Sequence, residues 1–372
     1  DRMPGPLSAR CRRSALSALT RARVLCTAPK PPAVAAKAIV EPAEHKSPSE
    51  QGRVAAADNS LASSLPLADA ALRGVGQVVF CNSAVSGAVL LGALGAADLY
   101  LAALAALGTG TATLCARVGG FEAAKLKVGL AGYNGCLVGC AFAVLMGEPA
   151  WSVDAALMTV AGSAMSVGVF KLYDGSPIPQ FTLAFNSVAI SSLIVAREWT
   201  HAAAATVPAL TSAMDLPVVE LAAAPLLGIS QIFVANSHAA GMLTLIAIGL
   251  YSRGCAAHVL LGSSIGTATA VALGAPGSEV AMGLWGYNSA LTSLAVGVFF
   301  VHSPQAMLLS SCGASLTAAL FGGMKGAAAA TLGVPVLTLP FCITASACYA
   351  MHTIVPGLRL AAAPHSPEMN AP

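Results

Sequence analysis

The spacing of charged residues constrains this chain more than any other feature. No Asp, Glu, Lys or Arg lies between Arg73 and Asp98. The same holds between Glu220 and Arg253, Arg253 and Glu279, Glu279 and Lys325, and Lys325 and Arg359. A helix needs about 20 apolar residues to cross the hydrocarbon core of a bilayer. The gap from Glu279 to Lys325 is long enough for two crossings, or for one crossing and a re-entrant piece. Charged residues are 9% of the chain and hydrophobic residues 56%, where an ordinary soluble domain carries about 25% charge. A soluble fold of this length would lack the polar material to cover its surface. The expected class is therefore an all-α polytopic membrane protein.

The net charge of +3 arises mainly at the N-terminus and implies no nucleic-acid partner. Arg2, Arg10, Arg12, Arg13, Arg21, Arg23, Lys30 and Lys37 face only Asp1 as an acid before Glu41. The stretch Leu7–Cys26 can coil into a basic amphipathic helix. Such composition is similar to an organelle transit peptide; a disordered basic tail is the competing reading. Residues 35–64 look like linker, so residues 1–70 are set apart as a disordered, targeting-like segment. Plasma membrane and an organelle envelope, a plastid among them, both remain open. The ten cysteines show neither a disulfide framework nor zinc spacing. They are read as small hydrophobes, and no metal or cofactor is expected.

The hydrophobic part is duplicated. Gln77-Val-Val-Phe-Cys-Asn82 is echoed by Gln231-Ile-Phe-Val-Ala-Asn236, Gly87 by Gly241, Gly132-Tyr-Asn134 by Gly286-Tyr-Asn288, and Leu137 by Leu291, each at an offset of 154 residues. Phe181-Thr-Leu-Ala-Phe185 returns as Leu337-Thr-Leu-Pro-Phe341 at an offset of 156. Agreement of Gln, Asn and Tyr-Asn in one order marks a duplication, with a first repeat at 71–200, a linker at 201–225, a second repeat at 226–353 and a tail at 354–372. Each repeat has room for about five spans; in the first these fall near 78–96, 99–116, 125–146, 151–171 and 181–197. An odd number of spans would make the copies inverted, with a site near the midplane.

Several paired residues suggest what the interior does. Pro177, Pro179, Pro335 and Pro340 surround the two Thr-Leu motifs, and proline removes a backbone donor. Broken backbone at membrane depth survives only beside protein or a water-filled cavity, so Thr182 and Thr338 are candidates for half-helix junctions beside a pore. Gln77 and Gln231 begin apolar spans, where an unbonded amide is costly. They act either as helix–helix glue or as pore-mouth amides offering both a carbonyl and an NH₂. Asn134 and Asn288 can tie off broken backbone. Leu137 and Leu291 lie one turn beyond Tyr133 and Tyr287, and such a pair can wall a flat slot or simply fill core. No intramembrane acid pair, phosphate loop or potassium-filter run occurs. His238 and His302 do not recur between the copies. With no coupling device or catalytic group in sight, transport would be passive.

Together these motifs resemble the urea transporter family. The resemblance covers residues 72–352 and rests on the Gln-to-Asn, Gly-Tyr-Asn and Thr-Leu motifs of both halves. It implies two inverted repeats of about five transmembrane helices, each with a re-entrant half-helix, in a homotrimer with one pore per subunit. It implies outer sites at Gln77 and Gln231, slot residues Val78, Phe80, Ile232 and Val234, walls at Tyr133, Leu137, Tyr287 and Leu291, and central hydroxyls at Thr182 and Thr338. The expected partners are urea and membrane lipid. Ser83 and Ser237 stand where the family usually has Pro, and Ala184 replaces a second Pro. Urea is flat and neutral, with one acceptor and four N–H donors. A slot with apolar faces and acceptors along its edge would exchange its water hydrogen bonds one at a time. A pore for another small neutral solute (water, ammonia or a short amide) is the alternative, and a membrane enzyme or scaffold is the third reading.

Overall fold

A computed structural model describes residues 51–146, 150–200 and 212–370. The basic segment, residues 35–50 of the linker after it and residues 201–211 of the connection between the repeats lie outside the described residues. Among the described residues the chain is helical, with two isolated bridge pairs and no strand. The helices are α1 (Gln51–Ser64), α2 (Pro66–Gln77), α3 (Ala84–Ala97), α4 (Leu99–Val118), α5 (Ala123–Lys127), α6 (Tyr133–Leu145), α7 (Val153–Leu172) and α8 (Leu183–Thr200). They are followed by α9 (Val218–Gln231), α10 (His238–Tyr251), α11 (Arg253–Ala272), α12 (Gly277–Ala281), α13 (Tyr287–Phe299), α14 (Pro304–Thr331) and α15 (Leu339–Ala350). Element for element, α2 to α8 match α9 to α15.

The helix starts follow from local chemistry. A helix leaves its first N–H groups unpaired, and a short polar side chain before it can accept from them. Ser83 and Ser237 do this for α3 and α10, accepting from Ser86 N at 3.2 Å and Ala240 N at 3.3 Å. Asp98 starts α4 by accepting from Tyr100 N at 2.7 Å, and Ser252 starts α11 by accepting from Cys255 N at 2.9 Å. Ser83 and Ser237 are therefore caps.

The breaks between helices are set by left-handed backbone. Phe80 and Val234 have φ of 58° and 60°, and Phe181 and Leu337 have 47° and 49°. Gly129 and Gly283 have 78° and 73°. A non-glycine residue in this region costs about 1–2 kcal/mol, so four such side chains at matched places are held by their surroundings. Gly129 has no alternative: a methyl there would lie 2.5 Å from the backbone of Arg73 and Gly74, and one on Gly283 would lie 2.3 Å from Gly228 N.

Packing joins the elements in matching pairs. α4 lies on α6 and α11 on α13, while α3 touches α10 and α8 touches α15 across the halves. α4 and α6 approach backbone to backbone: a methyl on Gly108 would fall 2.0 Å from Gly135 O, and one on Gly135 would fall 2.3 Å from Gly108 O. Small residues at such crossings are the usual means of packing helices in lipid. Leu157, Met165, Leu308 and Leu316 point outward and are exposed, as suits a hydrocarbon surround.

Among the described residues four helices (α4, α7, α11 and α14) are long and apolar enough to cross a membrane. They are two matched pairs. The other apolar helices are shorter, and the expected span at 125–146 is split into α5 and α6 by the turn at Gly129. Gln77 and Gln231 do not begin spans; each ends a helix, α2 and α9, just before a break. The prolines do not interrupt helices at the Thr-Leu motifs either. Pro340 sits in the first turn of α15, where a missing N–H costs nothing.

Residues 51–70, expected as disordered, are helical, and they are tied to the first break. Buried Asp58 accepts from Val85 N at 2.9 Å. Asp69 accepts from Arg73 Nε at 2.8 Å, and Arg73 donates to Asn82 O at 2.9 Å and Asn82 Oδ1 at 3.1 Å. A half-buried cation is tolerated when paired and hydrogen-bonded, and here it fastens the 78–83 turn. The tail is ordered too: Val301 N donates to Arg359 O and Ala361 N to Phe299 O, both at 2.9 Å.

Candidate functional site

A cavity of about 200 Å³ opens between the ends of α2 and α7 and reaches inward to Thr182. Its wall includes Gln77, Val78, Phe80, Tyr133 and Thr182, five of the twelve residues singled out from the sequence. Leu137 and Leu291 are instead fully buried in the core. Gln231, Ile232, Val234, Tyr287 and Thr338 occupy the matching places of the second repeat and do not line this cavity. The two sets meet at one point: Thr182 Oγ1 and Thr338 Oγ1 are hydrogen-bonded at 2.7 Å.

That meeting point is fully connected. Asn186 Nδ2 donates to Thr338 Oγ1 and to Thr182 O, both at 2.9 Å, and Asn186 Oδ1 accepts from Thr338 N at 3.1 Å. Cys342 Sγ lies 3.1 Å from Thr182 Oγ1. Thr182 and Thr338 each stand immediately before a helix, α8 and α15, so two helix N-termini converge on this cluster.

The Tyr-Asn motifs hold the strained backbone beside it. Tyr133 Oη donates to Phe181 O at 2.5 Å and Tyr287 Oη to Leu337 O at 2.6 Å; both carbonyls belong to left-handed residues. Asn134 Oδ1 accepts from Phe185 N at 3.1 Å, and Asn288 Oδ1 from Phe341 N at 3.3 Å. Gln77 Nε2 donates to Val128 O at 2.8 Å, and Gln231 Nε2 to Met282 O at 3.1 Å. The Gln77 bond fixes its amide on the cavity wall with the carbonyl oxygen left as an acceptor.

Inward from Gln77 the cavity is apolar and aromatic. Phe299 stands edge-on between Phe80 and Phe181, with ring centroids 5.9 Å from each at 89°. Phe181 then meets Phe341 at 5.1 Å and 65°. Edge-to-face rings of this kind are mutually favourable and stiffen this part of the cavity wall. A desolvated ion finds no charge partner along these rings, whereas a neutral solute meets amide, phenol and hydroxyl groups at the two ends.

At the outer end, Lys125 Nζ contacts Asp174 Oδ1 at 2.5 Å and Lys171 Nζ contacts Asp174 Oδ2 at 3.1 Å. Burial alone would push the Asp174 carboxyl up, but the hydrogen bonds from Lys125 and Lys171 outweigh it and hold the group below the usual carboxylate range. The second repeat carries Glu279 and Lys325 at the places of Lys125 and Lys171, and these two form an ion pair. Sequence reasoning missed this motif, although its offset of 154 was visible. It also missed Phe299, Tyr251 and His365 on the cavity wall, and buried His258, whose Nδ1 lies 3.3 Å from Ser293 Oγ and Ser310 Oγ. No group of three or more metal-ligating side chains occurs among the described residues.

A family model described as "Urea transporter" matches residues 68–353. Urea transporter 1 of Rattus norvegicus is 31% identical over 295 residues, covering 75% of each chain. Urea transporter 1 of Capra hircus is 30% identical over 292 residues, again covering 75% of each. The matched region starts within α2 and ends just beyond α15, and so contains both copies of the Gln, Tyr-Asn and Thr-Leu motifs described above; the chain belongs to the urea transporter family.

Proposed function

We propose that this membrane protein conducts urea passively, down its gradient, through a slot that begins at Gln77 and passes the Thr182–Thr338 pair. Family membership makes the chain a transporter and not an enzyme. The observation that carries the slot reading is the cavity itself: an acceptor amide at its mouth, edge-on rings along its length and, at its inner end, the Thr182 hydroxyl bonded to that of Thr338. Urea loses water as it enters the aromatic section, and an unpaired buried donor costs about 1–3 kcal/mol. Gln77 Oε1 and the threonine hydroxyls offer replacement partners at either end. Ions are refused because the rings supply nothing to replace their hydration.

The reading extends to the second repeat. Gln231, Ile232, Val234 and Tyr287 would repeat the arrangement on the far side of the threonine pair, the halves being inverted about an axis near it. Contacts between matching elements, α3 with α10 and α8 with α15, support such an axis. The repeats would run 71–200 and 226–353, joined by 201–225, and five spans in each would count broken helices together with the turns before them. A homotrimer of independent pores is the expected assembly, with the outward apolar faces of α4 and α7 against lipid and neighbouring subunits.

The test is flux. Purified protein in liposomes, followed by stopped-flow light scattering under urea, ammonia, water and salt gradients, is expected to give fast urea entry with no salt permeability. Water or ammonia passing while urea does not would replace this function with the other neutral-solute pore, and no solute-dependent swelling at all would remove the passage.

A further inference from the structure

One part of the cavity wall comes from neither the Gln nor the Thr-Leu motifs. Tyr251, the last residue of α10, faces the cavity together with Pro364 and His365 from the C-terminal segment. The imidazole of His365 is stacked on the Tyr251 ring, with centroids 5.1 Å apart and planes at 22°. The Tyr251 hydroxyl lies 3.1 Å from His365 Nε2.

His365 is held there by a strap. Glu368 accepts from Ser252 Oγ at 2.6 Å and from the backbone N–H of Gly254. Asn370 Nδ2 donates to the carbonyls of Val298 at 2.7 Å and Gly297 at 3.1 Å, which end α13, while Asn370 Oδ1 accepts from His365 N at 3.1 Å. The strap also explains an asymmetry between the repeats. In the first, Asp98 supplies its own carboxylate to the start of α4. In the second, Ser252 stands at that place and the carboxylate arrives from Glu368. A negative group at a helix N-terminus is stabilising, so the tail completes what the repeat lacks. The counterpart of Tyr251 is Ala97, with nothing to stack on.

We propose that Tyr251 and His365 form a size-selecting constriction at the Gln77 mouth, and that the strap from Arg359 to Asn370 positions His365 in it. The pair offers a flat edge with hydrogen-bonding groups, suited to small planar amides with free N–H₂ groups. Solutes with N-alkyl substituents would collide with the stacked rings. The inference rests on reading this cavity as the urea passage.

The experiment compares stopped-flow permeabilities of urea and N,N′-dimethylurea through the full chain in liposomes, for the parent, His365→Ala and Glu368→Ala/Asn370→Ala. The ratio of dimethylurea to urea permeability is read, since the amount of folded protein cancels from it. Both variants are expected to raise the ratio by about two- to tenfold, the range of one net hydrogen bond, and His365→Gln to raise it less than His365→Ala. An unchanged ratio in both variants, with urea still conducted, overturns the constriction and leaves the passage standing. Absence of urea flux in the parent refutes the passage itself, and this inference with it.

Discussion

The Thr182–Thr338 pair allows a double-mutant cycle whose outcome follows from its bonding. Valine keeps the shape of threonine and removes the hydroxyl. In Thr182→Val, Thr338 Oγ1 still accepts from Asn186 Nδ2 but loses its 2.7 Å partner. A buried polar group stripped of its partner costs about 1–3 kcal/mol, and a permeating urea loses a hydroxyl at the same point. About 1.4 kcal/mol in the barrier is tenfold in rate. Each single variant should therefore slow urea flux by about tenfold. In Thr182→Val/Thr338→Val no hydroxyl is left unpaired, and Asn186 Nδ2 retains Thr182 O at 2.9 Å. Groups in one network do not add, so the double variant should also be slowed about tenfold and not a hundredfold. Stopped-flow urea permeability per reconstituted protein measures all four forms. Unchanged flux in either single variant, or multiplicative slowing in the double, would refute the pair as the centre of the passage.

Two further expectations concern structure and pH. Gly129→Ala and Gly283→Ala place a methyl against backbone in a left-handed conformation and should lower thermal stability in detergent by more than about 1 kcal/mol; Gly92→Ala in α3, with no atom near the added methyl, should change it little. The Asp174 carboxyl is held below its usual range by Lys125 and Lys171. A depressed folded value means that its contribution is present above the unfolded value of about 3.9 and is lost as pH falls through the lower one. The stability difference between the parent and Asp174→Asn should then be constant from pH 8 to 5 and disappear only at more acid pH; a difference that fades between pH 7 and 5 would remove the ion triad as its cause.

The duplication was legible because its markers are residues that hydrocarbon does not use as filler. Gln77, Tyr133 and Thr182 recur with fixed offsets, and all three line the cavity. Two things misled the reading around them. Gln77 was expected to open a span because the run after it is apolar, but hydropathy has no term for the left-handed turn at Phe80, which ends α2 and delays α3 to Ala84. Residues 35–64 were expected as linker from their Pro, Ala, Ser and scattered charge, and residues 1–70 as disordered, yet the described part from Gln51 on is helical. Asp69 pairs with Arg73 one helical turn on, a local spacing that was visible, whereas Asp58 is held by Val85 N and faces Arg73 at 3.9 Å, contacts across the fold that leave no local periodicity to detect.

The sequence by itself determined the solvent, the helical class, the duplication and the residue types at the centre, because each is set by composition or by spacing along the chain. Only the tertiary structure decided which of those residues share one cavity. It buried Leu137 and Leu291, joined Thr182 to Thr338, and brought Phe299, Tyr251 and His365 to a wall built by distant segments. The physical reason is that the strained turns at Phe181 and Leu337 are sustained by hydrogen bonds from Tyr133 and Tyr287 on other helices, so those break positions exist only once the helices have packed.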